Sequence, residues 1–473
     1  MKLANIRLSL ISSSLLCVLL SASGLISGCN STQEETEAPA LSDTDRNNLE
    51  KERILTELAK ECESDNGDAC FELGWFYHDE RTAEQDYTKA LFFFEKACRL
   101  DVWTGCSNAG IIYKEGLNTE QNFYKANSLF EKACSMNDGS GCRNLAFEYY
   151  NGNGVKQDYA KAIGLYEQSC HLKDGHGCTN LGNLYLTGEG ARKDLKKAAA
   201  YFEKGCNFED SRGCINLGLL NERGEGIKQN QQQATFYYEK ACNFHSGQGC
   251  RYAAMDFEKA GQSDKAFAYY AEGCQNGNPQ SCTALGNCFY NGFGTDQNLD
   301  HARMAYETSC SQNDGDGCSL LGFLYDNANG VEKDSRTAIS YFEKGCSLQS
   351  GLGCFNLSMH YLNGDGVEQD IEKMYALSER ACSLNYADAC GNLGNLYFEG
   401  IGVDKNINTA NSYFKKGCES GSSISCYNYG NSYLNGTGVK RNKKTAKSYY
   451  GKSCDFGSQA GCEAYKKLKN EGF

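Results

Sequence analysis

The chain has 473 residues, with 47 basic against 60 acidic side chains and a net charge of −13. That balance leaves no basic surface for a phosphate backbone and excludes nucleic acid as an expected partner. Only Pro39 and Pro279 interrupt the sequence, so long stretches are free to be helical, and its 12% aromatic content argues against disorder.

Residues 1–28 read as a leader that does not belong to the fold. Lys2 and Arg7 make a short basic region, Leu8 to Leu20 is mostly apolar, and Leu25-Ile26-Ser27-Gly28-Cys29 closes the stretch. Small residues before a cysteine resemble the lipobox of bacterial lipoproteins, which implies that Cys29 is the lipidated first residue of the mature protein. The plainer alternative is cleavage near Ser21-Ala22-Ser23, leaving Cys29 an incidental thiol. Several acyl chains on one residue anchor stably. The expected location is therefore the bacterial cell envelope, with the lipid anchor as the membrane contact. By analogy with Gram-negative lipoproteins, Asn30 in place of Asp favours the outer membrane. Residues 29–48, rich in Glu, Ser and Thr, are expected to form an acidic flexible tether.

From residue 49 to 473 the chain repeats itself. Twelve cysteine pairs, each eight positions apart, recur along it: Cys62 and Cys70, Cys98 and Cys106, Cys134 and Cys142, Cys170 and Cys178, Cys206 and Cys214, Cys242 and Cys250, Cys274 and Cys282, Cys310 and Cys318, Cys346 and Cys354, Cys382 and Cys390, Cys418 and Cys426, Cys454 and Cys462. The step is thirty-six residues throughout, except for thirty-two between Cys242 and Cys274. Such a period signals helical hairpins stacked in a solenoid, which adds length without adding separate cores. Paired thiols in this number signal an oxidising compartment.

Counting from the second cysteine of a pair, the third residue on is often leucine (Leu145, Leu181, Leu321), the fourth is small (Gly74, Gly182, Gly286), and the seventh is aromatic from Tyr77 through Tyr433, with Asn221 the exception. Offsets of 0, 3, 4 and 7 share one face of a helix, here called the A helix. Paired glycines such as Gly152 with Gly154 and Gly188 with Gly190 then end it. They recur with nothing strand-like before them, so they read as turns and not as a phosphate loop. The following B helix carries an alanine eight residues before the next pair (Ala90, Ala162) and an aromatic four before it (Phe94, Phe130, Tyr166, Phe202). Small residues facing aromatics permit close helix packing. The expected fold is all-α: an α/α solenoid, a right-handed superhelix of about eleven hairpins with terminal half-repeats.

This pattern, of which Gly175-His176-Gly177-Cys178-Thr179-Asn180-Leu181-Gly182-Asn183-Leu184-Tyr185 with Gly188 and Gly190 is a close example, resembles the Sel1-like repeat. The regular cysteine pairs narrow the likeness to the Helicobacter cysteine-rich proteins, a secreted branch of that family. The resemblance departs at residues 251–273, where four residues and the paired glycines are missing, as in a tetratricopeptide unit.

Two disulfide ladders fit antiparallel neighbouring helices. One joins cysteines eight apart, across the link between hairpins; the other joins Cys70 to Cys98 and its equivalents, within a hairpin. The second strands Cys62 and Cys462, and its spacing shrinks in the short hairpin, so the first is expected. Each such loop is worth about 2.5 kcal/mol in chain entropy. Eight-residue spacing is unlike zinc's, and Cys170-His171 with His176 and Cys178 reads as a bridged loop, so no metal or cofactor is expected. Cys288 stands outside the ladder, where other repeats place Leu184, Leu220 or Leu324, and is expected to be a buried, inert thiol.

Likeness to the cysteine-rich branch also implies, as the alternative reading, a β-lactamase-like or penicillin-binding activity. Ser412-Tyr413-Phe414-Lys415 and Ser64-Asp65-Asn66 match two serine β-lactamase elements by letters, but no K-T-G occurs and the fragments lie almost ten repeats apart. No catalytic residue is therefore assigned. The favoured reading is a protein-interaction scaffold that binds a protein or peptide. Five residues after the second cysteine the side chain varies freely, and Trp75, Phe147, Asn183, Asn287, Phe323, Asn395 and Asn431 are the binding candidates. In tetratricopeptide-like stacks the equivalent stripe lines the concave groove; the alternative is that it is partly buried between repeats. Asn108, Asn144, Asn180, Asn216, Asn356, Asn392 and Asn428, at the second position, are expected to be structural, capping or bonding the neighbouring backbone.

Overall fold

The computed structural model describes residues 43–80 and 84–473. The leader, Cys29 and residues 29–42 lie outside the described residues. Helix begins at Asp43, inside the segment expected as tether, and runs to Glu63, with an Arg53–Glu50 pair at 2.6 Å on its exposed surface.

The chain divides into two units, residues 1–60 and 61–473. Among the described residues there are twenty-four helices and no strand. The second unit is built from antiparallel A–B hairpins, each packed on the next as a solenoid. A hairpin opens on an A helix such as Gly139–Asn151 and closes on a B helix such as Tyr159–His171.

Local chemistry sets each boundary. Asp158 caps the B helix by accepting from the Lys161 amide, and Asp174 caps the next A helix by accepting from the Gly177 amide. Gly188 ends that A helix at φ 82°, in the left-handed region that glycine enters without strain. The link between hairpins is sharper. One residue before each cap the chain also turns left-handed, and there it uses Lys173, Glu209 and Gln349 as well as asparagines. That conformation costs a residue with a Cβ roughly 1–2 kcal/mol.

The disulfides close that same bend, and every one joins cysteines eight apart. Cys62 is bonded to Cys70, Cys98 to Cys106, Cys134 to Cys142, Cys170 to Cys178, Cys206 to Cys214 and Cys242 to Cys250. The ladder continues with Cys274 to Cys282, Cys310 to Cys318, Cys346 to Cys354, Cys382 to Cys390, Cys418 to Cys426 and Cys454 to Cys462. Cα atoms lie 4.5 to 4.8 Å apart across them, and Cys70 is not joined to Cys98. The second cysteine sits on the inner face of its A helix. Cys70, Cys106, Cys142, Cys178, Cys214, Cys250, Cys282, Cys318, Cys354, Cys390 and Cys426 are all wholly shielded from solvent, and only Cys462, in the last helix, is half-buried. The bridges are thus core as well as clamps, each sulfur pair packed where a small apolar group would otherwise stand.

Among the described residues Cys288 is the free cysteine; it is buried, and burial together with Glu258 pushes its thiol up to about 11. Thiolate is therefore scarce at neutral pH, as an inert thiol requires.

Packing within a hairpin follows the small-against-aromatic rule. A Cβ on Gly182 would lie 2.6 Å from the Phe202 ring, so only glycine lets the two helices meet at this distance. Phe202, Phe130, Tyr238 and Tyr306 are fully buried as a result, each contributing about 1.5–3 kcal/mol. The aromatic seventh position makes a different contact. Tyr185 stacks on Tyr201 at 5.6 Å between centroids, and Tyr397 on Tyr413 at 5.7 Å. Asn221, the exception, donates instead to the Leu217 carbonyl at 2.9 Å.

The short hairpin keeps this frame. Its A helix ends at Lys259 and its B helix begins at Ser263, with Gly261 at φ 71° as the left-handed residue between them.

Candidate functional site

The variable fifth position is exposed or half-buried. None of its eleven residues is buried: Trp75 is 47% and Phe147 42% exposed, Asn287 and Asn395 are exposed, and Asn183, Phe323 and Asn431 are half-buried. The frame residues beside them, Leu181, Gly182 and Leu184, are buried. None of them is fully buried, but Ile111, Leu219, Met255 and Phe323 pack partly against the core, so partial burial between repeats holds for much of the stripe.

The second-position asparagines divide. Asn108 bonds backbone as expected, donating to the Thr104 carbonyl at 2.8 Å. Asn216 and Asn428 instead donate to Asn183 and Asn395 of the preceding repeat, at 3.1 and 3.0 Å. They belong to the stripe and hold its amides in place, a role that spacing within one repeat does not reveal.

Two cavities open on this face. The larger, about 470 Å³, lies between the A helices Gly139–Asn151 and Gly175–Thr187 and takes in Phe147 and Asn183. Lys114, Arg143, Arg212, Asn144, Asn180, Tyr150, Tyr166 and Glu189 complete most of its lining. The smaller, about 230 Å³, lies between Pro279–Asn291 and Gly315–Asp326 and is lined by Asn287, Phe323, Tyr290, Asn291, Tyr306, Leu320 and Leu324. It contains no charged group.

The larger cavity has an internal electrostatic order. Glu148 lies beneath it with no exposed side-chain surface, and Lys114 Nζ sits 3.4 Å from its Oε1 and 4.5 Å from the Phe147 ring centroid. Neither Glu148 oxygen has a hydrogen-bond donor, and neither has Arg143 Nε an acceptor; its ion-pair contact is Asp174 at 3.8 Å. Arg212 Nη2 donates to Asp210 at 3.1 Å, and His176 Nδ1 lies 3.0 Å from the same carboxylate and 2.9 Å from that guanidinium nitrogen. Burial would raise the Asp210 carboxyl, but hydrogen bonds from His176, Arg212 and Thr179 outweigh it and hold the group well below the usual carboxylate range. The Tyr150 hydroxyl donates to Glu189, and that bond, with burial, pushes the phenol up to about 12.

Sequence reasoning placed Phe147, Asn183, Asn287 and Phe323 on this face but missed Lys114, Arg143, Arg212 and Glu148. Glu148 carried a signal, since its position holds Ile112, Leu184, Leu220 and Leu324 in other repeats. The remaining candidates, Trp75, Asn395 and Asn431, line neither cavity. Asn431 accepts from the Tyr450 hydroxyl at 2.6 Å.

The β-lactamase fragments are not assembled into a site. Ser412 is exposed on the B helix Ile407–Glu419, where Lys415 pairs with Glu419 at 3.9 Å, and Asn66 caps the helix Gly67–His78. Among the described residues the one cluster with metal-ligand chemistry is Cys242, Cys250 and Glu272, and its two sulfurs are joined as a disulfide. No described helix is long and apolar enough to cross a membrane.

A sequence model of the Sel1 repeat matches eleven stretches: 67–102, 104–138, 139–174, 175–207, 211–243, 261–278, 279–314, 315–350, 351–386, 387–422 and 423–458. The gap from 244 to 260 falls on the short hairpin, where the repeat pattern departs. No curated protein matches the chain. Among solved structures it is similar to c5321, a protective antigen of uropathogenic Escherichia coli displaying an SLR fold, with 25% identity, a TM-score of 0.56, and coverage of 88% of this chain and 90% of that one. Cysteine-rich protein B of Helicobacter pylori is 33% identical over 28% of this chain and 93% of its own, with a TM-score of 0.24.

Proposed function

The chain belongs to the Sel1 repeat family, and from that premise we propose that it is a lipid-anchored scaffold of the bacterial cell envelope that grips a protein partner along its A-helix stripe. A disulfide-braced Sel1 solenoid fits protein interaction. The observation that carries the proposal is the split between frame and stripe: the frame is buried, while the stripe is exposed or half-buried and opens into two cavities. Exposed aromatics and amides supply rigid contact area and hydrogen bonds for an extended chain. The twelve disulfides and the lipobox-like Leu25–Cys29 support an extracytoplasmic setting and an anchor at Cys29, the outer membrane being the favoured site.

Changing Trp75, Phe147 and Phe323 together to Ala should weaken partner capture by the mature protein while its helical signal stays unchanged. Loss of the folded state would overturn the assignment of the stripe. Cys29→Ala should release the protein from membranes or block its processing; unaltered mass and membrane association would remove the anchor. Nitrocefin turnover abolished by Ser412→Ala would replace the scaffold with an enzyme.

A further inference from the structure

Resting on that reading and deepening it, we propose that the larger cavity is a subsite for an acidic side chain, Asp or Glu, of an extended partner peptide. In a chain of net charge −13, three cations from three different repeats, Lys114, Arg143 and Arg212, line one cavity. The one acid in the lining, Glu189, is already engaged by the Tyr150 hydroxyl. The other acids near these cations, Glu115, Glu148, Asp174 and Asp210, pair with them from outside the lining.

Among the lining side chains donors outnumber acceptors. The Arg143 Nε is buried without a hydrogen-bond partner, Asp174 at 3.8 Å being its ion-pair contact, and an unmade bond of this kind costs free energy. A carboxylate is the acceptor that fits guanidinium geometry best, and Asn144, Asn180 and Asn183 add amides that can hold the peptide around it.

Glu148 supplies the second line of argument. A leucine serves at its position in Leu184, Leu220 and Leu324, so the stack does not require a carboxylate there. Burying one without hydrogen bonds is destabilising, and what it does here is fix Lys114 over Phe147 at the cavity. Glu148 is thus a positioning residue that acts through Lys114. The uncharged cavity four repeats on has none of this apparatus.

Short random peptides displayed on phage, selected on the full mature protein, test the proposal. Selected sequences should be enriched in Asp and Glu. Their synthetic, amide-capped forms should bind roughly tenfold more weakly to the protein carrying both Arg143→Gln and Arg212→Gln, and their Gln isosteres similarly to the wild type. Selection without acidic bias, or binding indifferent to those arginines yet lost in the triple variant of Trp75, Phe147 and Phe323, would overturn the acidic subsite and leave the stripe reading standing. No selection at all would overturn both. A Gln isostere with a free C-terminal carboxylate that binds as tightly as the capped acidic peptide would make a chain end the occupant and overturn the choice of a side chain. Glu148→Leu should keep the fold and weaken binding. Combined with Lys114→Met it should lose no more than Lys114→Met alone; additive losses would end the positioning role.

Discussion

The two cavities occupy the same place in the repeat, four repeats apart, and differ in nearly everything that is not frame. Tyr166 and Tyr306, Leu184 and Leu324, and Tyr150 and Tyr290 correspond, and each hydroxyl of the last pair meets the loop thirty-nine residues on, Tyr150 at Glu189 and Tyr290 at Asn329. Around that shared frame Phe147 and Asn183 become Asn287 and Phe323, with aromatic and amide exchanged. Lys114 is replaced by Glu258, Arg143 by Thr283, Glu148 by Cys288 and Arg212 by Leu352. Stacking is held constant, and chemistry is written into the few positions that stacking leaves free.

The comparison breaks most visibly at Lys114. Lys114→Met strands the buried Glu148 and should cost about 3 kcal/mol in denaturant unfolding, whereas Glu258→Met, which removes an acceptor of the Tyr270 hydroxyl, should cost about 1 kcal/mol. Equal losses would mean that Glu148 is not held by its lysine. Removing one bridge beside each cavity, by changing Cys170 and Cys178 or else Cys310 and Cys318 to serine, should cost about 2.5 kcal/mol at both, because these loops belong to the frame. Tyr150→Phe and Tyr290→Phe should likewise cost about 1 kcal/mol each, read as paired melting curves; a large inequality would show that the shared hydroxyl bridge is not frame.

The smallest difference is in acid. Asp210, held below its ordinary value of about 3.9, contributes stability above that pH and loses it as the pH falls through the lower folded value. Its equivalent beside the smaller cavity is Ser350, which accepts from the Gly353 amide and does not titrate. Unfolding followed from pH 7 to pH 2 should therefore be less steep for Asp210→Asn than for the wild type, while Ser350→Asn leaves the slope alone.

The frame was legible because it recurs. The Leu–Gly–Tyr face, the glycine turns and the bridge pairing each appear many times at one spacing, and repetition distinguishes signal from accident. The stripe was legible as variation against that background. The cationic cavity was not, because Lys114, Arg143 and Arg212 sit at three different offsets in three different repeats and converge only when the hairpins stack. Asn216 and Asn428 were misjudged for the same reason: their partners lie thirty-three residues back. The helix at Asp43 starts earlier than composition suggested, since Glu, Arg and Leu there propagate a helix as readily as charged residues solvate a tether.

The bridges also decide what a protease can do. Each spans a link between hairpins, so cutting after Lys173 opens the backbone but leaves the pieces joined through Cys170 and Cys178. Cleavage in a glycine turn, after Lys156 for example, has no such tie and divides the chain. The molecule can thus be nicked at twelve bends and still travel as one covalent piece until a reductant is met.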